Sequence, residues 1–188
     1  MKPQVRKLSR ISQGDIYKDI EYIEYAVEKS GDIEISKISF PYVVVLTQDC
    51  DLKRDFKFRY GRPRPNNQDK FLLSVLVAPL YNIEHFFLGE QLSTLGINMQ
   101  KIKRNKSPAS RIKSNRDVRY HYLEFPQDIP IVSSVIDFKH YFSVNIEYLK
   151  KQNKNNFVCR IPPMHREKLS QRYANFLARI GLPERNNS

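Results

Sequence analysis

Two groups of residues carry side chains that could do chemistry at close spacing. Arg116, Arg119 and His121 combine permanent cations with the one side-chain type whose ordinary protonation change lies near neutral pH. Strand alternation places Arg119 and His121 on one face. There the imidazole could move a proton while a guanidinium steadies developing negative charge, which is what metal-free transfer at a phosphodiester requires. The same histidine, set among aromatic residues at 119–125, equally suits a packed, hydrogen-bonded strand position. The second group is Asp49, Cys50 and Asp51. Its carboxylates could act as a base and its thiol as a nucleophile. A thiolate, however, is favoured by nearby cations and opposed by nearby carboxylates, and two aspartates flank this one. A small buried cysteine at a strand end, with the aspartates bonding to backbone N–H groups of a turn, accounts for the same residues. No other carboxylates cluster with this pair and no four-ligand zinc spacing is present, so neither a metal nor a cofactor is expected.

The elements that must position these groups follow from apolar patterning. Val43, Val44, Val45 and Leu46 form a continuous β-branched and apolar run, the signature of a strand buried on both faces, and it delivers the 47–51 turn at its end. Segments 20–28 and 33–40 flank Lys29-Ser30-Gly31-Asp32 and predict a hairpin. The first of them also offers helical spacing through Ile20, Ile23 and Val27, but its Tyr, Ile and Val content favours a strand. Residues 71–80 form a second apolar run, expected beside the Val43 strand. Residues 82–105 read as partly helical, with Leu88, Leu92 and Leu95 on one face and Gly96 interrupting. Short strands are expected at 119–125, 131–138 and 140–148. The amphipathic C-terminal helix spans 165–180, with Leu169, Tyr173, Phe176, Leu177 and Ile180 as its stripe and Gly181 and Pro183 as its stop. The chain divides into a basic tail at 1–13, one domain at 14–183 and a disordered end at 184–188.

Charge points to a partner. Lys and Arg number 32 against 20 Asp and Glu, a net +12, and the pI near 9.7 is in the range of nucleic-acid binders. Arg54, Arg59, Arg62 and Arg64 interleave with Phe56, Phe58 and Tyr60, joining cations for phosphates to rings on which bases stack; this segment reads as a long loop. Residues 101–119 carry Lys101, Lys103, Arg104, Lys106, Arg111, Lys113, Arg116 and Arg119 against one acid, Asp117. RNA or single-stranded nucleic acid is the expected ligand; a basic surface that only confers solubility is the bland alternative. No run of about 18 apolar residues, no signal-peptide core and no basic amphipathic N-terminal helix occurs, so a cytoplasmic protein without membrane contact is expected. Cys50 and Cys159 are then expected to be free thiols.

Three segments in order, GDIYK from Gly14, FPYVVVL from Phe40 and LLSVLVAPL from Leu72, resemble the MazF/PemK toxin family over roughly the first 80 residues. The resemblance implies an α+β, mainly β fold: a small SH3-like barrel with a C-terminal helix. It also implies metal-independent endoribonuclease activity on single-stranded RNA, a toxin–antitoxin or phage-defence locus, an acidic antitoxin or other defence-system partner, and a homodimer. At two positions this chain departs from the family. Phe40 stands where the family's catalytic Arg precedes the proline, and Ala78-Pro79-Leu80 stands where its Thr or Ser partner ends the second strand. Cleavage would therefore fall to the Arg116, Arg119, His121 and Asp49, Cys50, Asp51 groups. The alternative is a non-catalytic barrel serving as a protein-interaction or sensor module.

Overall fold

The computed structural model describes residues 1–64 and 66–179. Ile180, the Gly181 and Pro183 stop and the 184–188 end lie outside the described residues.

Two strands dominate the architecture. β1 (Asp15–Lys29) and β2 (Asp32–Val45) form a hairpin whose register closes at Lys29 opposite Asp32. Ser30 and Gly31 both adopt positive φ, 55° and 88°, the two-residue turn whose twist matches that of its strands. β1 and β2 are joined by β3 (Ser74–Pro79), β7 (Phe142–Asn145) and β8 (Phe157–Arg160) in an antiparallel sheet of order β7-β3-β2-β1-β8. Val43, Val44 and Val45 sit opposite Pro79, Ala78 and Val77. Both faces of this sheet are covered, which is why the Val run is continuous rather than alternating. Val44 packs with Ile136, Phe138, Leu169 and Phe176 on one side, and Val43 and Val45 pack with Leu52, Val144 and Leu149 on the other.

The expected SH3-like, MazF/PemK-type barrel does not form. The sheet is open, with the four-residue strands β7 and β8 at its two edges. Instead of closing it, the chain leaves β3 at Pro79, which has no ladder N–H to donate, and builds a second open sheet. That sheet consists of β4 (Tyr81–Asn82), β5 (Tyr120–Leu123) and β6 (Ser134–Asp137) in the order β4-β6-β5. The fold is α+β, with two open sheets and five helices among the described residues.

The helices fill the faces. α1 (Asp49–Tyr60) occupies what the sequence presents as a turn and loop. Asp49 and Asp51 stand in its first turn and Lys57 and Arg59 in its last, each at the end its charge suits. It buries only Leu52 and Asp55, so no apolar stripe announces it. α2 (Ile83–Leu88) and α3 (Ser107–Lys113) enclose a third cluster with Tyr81 and Val135 behind the small sheet. Leu88 of the expected 88, 92, 95 stripe is exposed, and the chain after α2 makes a single 3-10 turn at Ser93–Leu95. α4 (Ile146–Gln152) replaces the second half of the strand expected at 140–148, its N-terminus capped by the Asn145 side chain. α5 (Pro163–Leu177) buries Leu169, Tyr173 and Phe176 of the expected stripe, while Leu177 is exposed.

The N-terminal residues lie on the body. Gln4 exchanges backbone hydrogen bonds of 2.9 and 2.8 Å with Arg160, and Ile11, Ser12 and Gln13 are buried. Behind them Asp15 accepts from Arg160, from the Ser12 N–H at 2.7 Å and from the Tyr17 hydroxyl at 3.3 Å. Burial outweighs these partners and raises the Asp15 carboxyl above the usual carboxylate range.

Candidate functional site

β5 sets the orientation of the first chemical group. His121 and Leu123 point inward and Tyr120 and Tyr122 outward, toward the cluster under α2 and α3. His121 is 3% exposed, and its Nδ1 is buried without a hydrogen-bond partner. Burial first, and then the positive charges of Arg172, Lys168 and His165, push its pKa down to about 3. The imidazole is therefore neutral at physiological pH and walled off from solvent. Arg119 precedes the strand and turns to Asp137, giving one hydrogen bond of 2.8 Å from Nε and another from Nη2. That pairing raises the Arg119 pKa further. Arg116 is exposed. No hydrogen bond joins Arg116, Arg119 and His121, so alternation holds for the backbone but the side chains go to three different environments.

Asp137 belongs to neither candidate group of the sequence. It is fully buried in β6, where it holds Arg119, accepts from the Lys139 N–H at 3.0 Å and lies 3.8 Å from His140 Nδ1. His140 Nδ1 is in turn 3.0 Å from the Tyr81 hydroxyl. Burial depresses His140, against the pull of Asp137, and raises the Tyr81 phenol. The signal for this cluster was present: a lone acid among Val135, Ile136 and Phe138 must have a partner. Arg172 of α5 is also structural. Its guanidinium donates to the carbonyl oxygens of Asn115, Asp117 and Tyr120, fixing the loop that leads into β5.

The 49–51 group opens α1. Asp49 accepts from Arg10 Nη1 and Nη2 at 3.0 and 2.9 Å and from the Gln13 N–H at 3.3 Å, with Arg166 of α5 3.7 Å away. Burial opposes its ionisation, but the Arg10 hydrogen bonds and the Arg10 and Arg166 charges outweigh it and hold the carboxyl below the usual range. Asp49 is thus a clamp between the N-terminal segment, α1 and α5. Cys50 is exposed rather than buried, because the helix that replaces the turn swings it outward; its Sγ is 3.5 Å from Gln48 Oε1 and 3.7 Å from Asp51 Oδ1. An open cleft of about 440 Å³ beside it is lined by Gln13, Asp49, Arg166 and Gln171 among others. Among the described residues, no three His, Cys, Asp or Glu side chains gather as metal ligands.

The nine residues expected to contact nucleic acid fall into two sets. Arg54, Arg62, Arg64, Lys103, Arg111 and Lys113 are exposed and form no ion pair among the described residues. Arg59 is engaged: it pairs with buried Asp55 at 2.6 Å, donates to the Leu72 carbonyl and lies 4.3 Å over the Phe71 ring. Arg104 pairs with Glu84, and Tyr60 stacks against Phe56 with Lys150 Nζ 4.7 Å from its ring. The two basic segments occupy opposite sides of the large sheet. α1 packs through Leu52 on one face, and α3 packs through Ala109 and Ile112 behind the small sheet that covers the other. Among the described residues, no helix is long and apolar enough to cross a membrane.

No protein-family model matches the chain, and no curated protein matches it.

Proposed function

We propose that the protein binds RNA or another single-stranded nucleic acid through the surface formed by residues 101–116, with the outer side of α1 as a second, separate contact. The observation that carries this reading is a stretch with no acidic residue in which Lys101, Lys103, Lys106, Arg111, Lys113 and Arg116 are all exposed and unpaired among the described residues. Six such cations on one segment repel each other and are stabilised by a polyanion, whose condensed counterions they release. Strand cleavage is not part of the reading, since His121 is buried and neutral and Arg119 is committed to Asp137. Kinship with the MazF/PemK family is a proposal resting on the three strand segments alone, and the proposal sets the protein in the cytoplasm. In a toxin–antitoxin or defence locus, an acidic partner protein would compete for the same cations.

The test is anisotropy with a labelled, unstructured RNA in EDTA, alongside a gel that reports cleavage. If all six cations meet phosphates, raising salt from 50 to 200 mM weakens binding by about 300-fold, from a slope near 0.7 per contact on single strands. Absence of binding at 50 mM salt overturns the reading, and cleavage in EDTA would add a catalytic site that it does not contain.

A further inference from the structure

The β1–β2 hairpin stands free over most of its length. β8 pairs with β1 only at residues 15–17 and β3 with β2 only at 43–45. Beyond Ile20, which is buried in the core, the ladder from Ile23 opposite Lys37 to Lys29 opposite Asp32 extends about 20 Å from the body at the usual strand rise. Its register puts Ile23, Ile33 and Ile35 on one face, exposed by 59%, 72% and 54%. Tyr25 and Val27 are uncovered on the other face, whereas near the foot Tyr22 and Phe40 pack on Phe142. A two-stranded ribbon is marginal in water by itself, and contiguous exposed apolar side chains mark an interaction site. The arm also differs from the rest of the chain in charge. Residues 18–42 hold six acids, Asp19, Glu21, Glu24, Glu28, Asp32 and Glu34, against Lys18, Lys29 and Lys37, in a protein whose net charge is +12.

At the foot of the arm lies a largely apolar groove of about 500 Å³. Residues 38–42 of the arm form one wall and residues 90–95 the other, with Leu80 and Ile131 between them. Within that second wall Gln91 Oε1 is buried without a hydrogen-bond partner. The wall runs directly into the cationic segment. Met99 N–H bonds to the Gly89 carbonyl at 3.0 Å and Ile102 N–H to the Phe87 carbonyl at 2.9 Å, which ties the start of that segment back to α2.

We propose that two copies of this chain associate by reciprocal exchange of these arms, the tip of each seating in the groove at the foot of the other. Two arms lying antiparallel about a two-fold axis bring tip to foot twice, which is the self-complementary arrangement a closed dimer needs. The occupant's chemistry fits the receptor. Ile33 and Ile35, which share one face of the arm with Glu28, enter an apolar groove, and an arm with six acids against three lysines meets a chain whose remaining residues are strongly cationic.

Sedimentation of the full chain over a concentration series tests this together with site-directed cross-linking. A dimer is expected, with a dissociation constant that rises with salt and rises at least tenfold in an Ile33→Glu, Ile35→Glu variant. Because both side chains are exposed in the single chain, that variant keeps its fold, checked by an unchanged circular dichroism spectrum. In a Cys50→Ser background, Ile33→Cys with Leu95→Cys should give an interchain disulfide under oxidation, and either cysteine alone should not cross-link to the same extent. An intrachain bond is out of reach, since tip and foot are much farther apart than the roughly 7 Å between Cα atoms that a disulfide spans. A monomer at all concentrations up to 100 µM, a dimer indifferent to the arm variant, or no interchain disulfide would each overturn the proposal.

Discussion

Replacing His121 by Phe separates a structural imidazole from a catalytic one, and the size of the effect follows from its burial. In the folded chain the ring titrates at about 3, whereas in the unfolded chain it titrates near 6.5. The folded value is depressed, so the unfolded state binds the proton first. Stability is complete above about pH 6.5 and is lost as pH falls toward 3. At pH 7.5 the linked cost is near zero, and at pH 5 it is about 2 kcal/mol. His121→Phe removes that cost while keeping a flat ring 6.3 Å from Phe138. It also removes a buried nitrogen without a partner, itself a cost of about 1–3 kcal/mol, set against the strain of a slightly larger ring. The assay is urea unfolding of wild type and variant at pH 7.5 and pH 5. Subtracting the two proteins cancels His85, His140, His165 and the carboxylates, which both retain. The gap should widen in the variant's favour by about 2 kcal/mol at pH 5, a midpoint shift of roughly 1 M urea, with RNA binding unchanged. An equal gap at both pH values would refute the burial argument. Loss of an RNA-directed activity in a folded variant would restore His121 to the chemistry.

Other parts of the fold make equally direct predictions. Asp15→Asn strands the Arg160 guanidinium, 6% exposed, and should cost about 3–5 kcal/mol in thermal or urea unfolding, as breaking a buried pair does; a loss under 1 kcal/mol would mean water reaches the pair. With a thiol reagent the native protein should titrate one cysteine quickly, Cys50. Cys159, fully buried and pushed up to about 12 by burial and then by Asp15, should react only on unfolding; two fast thiols would contradict the buried position of β8. Arg59→Met should destabilise the protein through the loss of Asp55 and Leu72 contacts while leaving the salt dependence of RNA binding untouched. A reduced salt slope would return Arg59 to the interface.

The Val43–Val45 run, the 29–32 turn and the Leu169, Tyr173, Phe176 stripe were legible because each is a local pattern with one structural solution. α1 was not, since its buried positions are one leucine and one aspartate, and its order depends on Arg59, Asp55 and Leu72 meeting across the fold. Neither was the inward face of β5. Tyr and His each serve at a surface or in a core, so alternation in Arg119-Tyr120-His121-Tyr122 shows two faces without saying which is the more deeply buried. The barrel expectation failed for a related reason. The three resembling segments do lie side by side as β1, β2 and β3, but closure depends on what residues 81–140 do, and these fold into their own sheet. Asp137 stands out locally as a lone acid among Val135, Ile136 and Phe138, but its partner Arg119 lies 18 residues away, and no local pattern displays that pairing.

The salt slope of RNA binding reads out whether the unpaired cations of 101–116 meet phosphates. Anisotropy between 50 and 200 mM salt should give a log–log slope near −4 for the wild type, from six contacts on a single strand. In Lys103→Ala, Arg111→Ala, Lys113→Ala it should fall to about −2. All three side chains are exposed, so the variant retains the native fold. An identical slope in the two proteins, or a wild type that does not bind at 50 mM, would contradict the account.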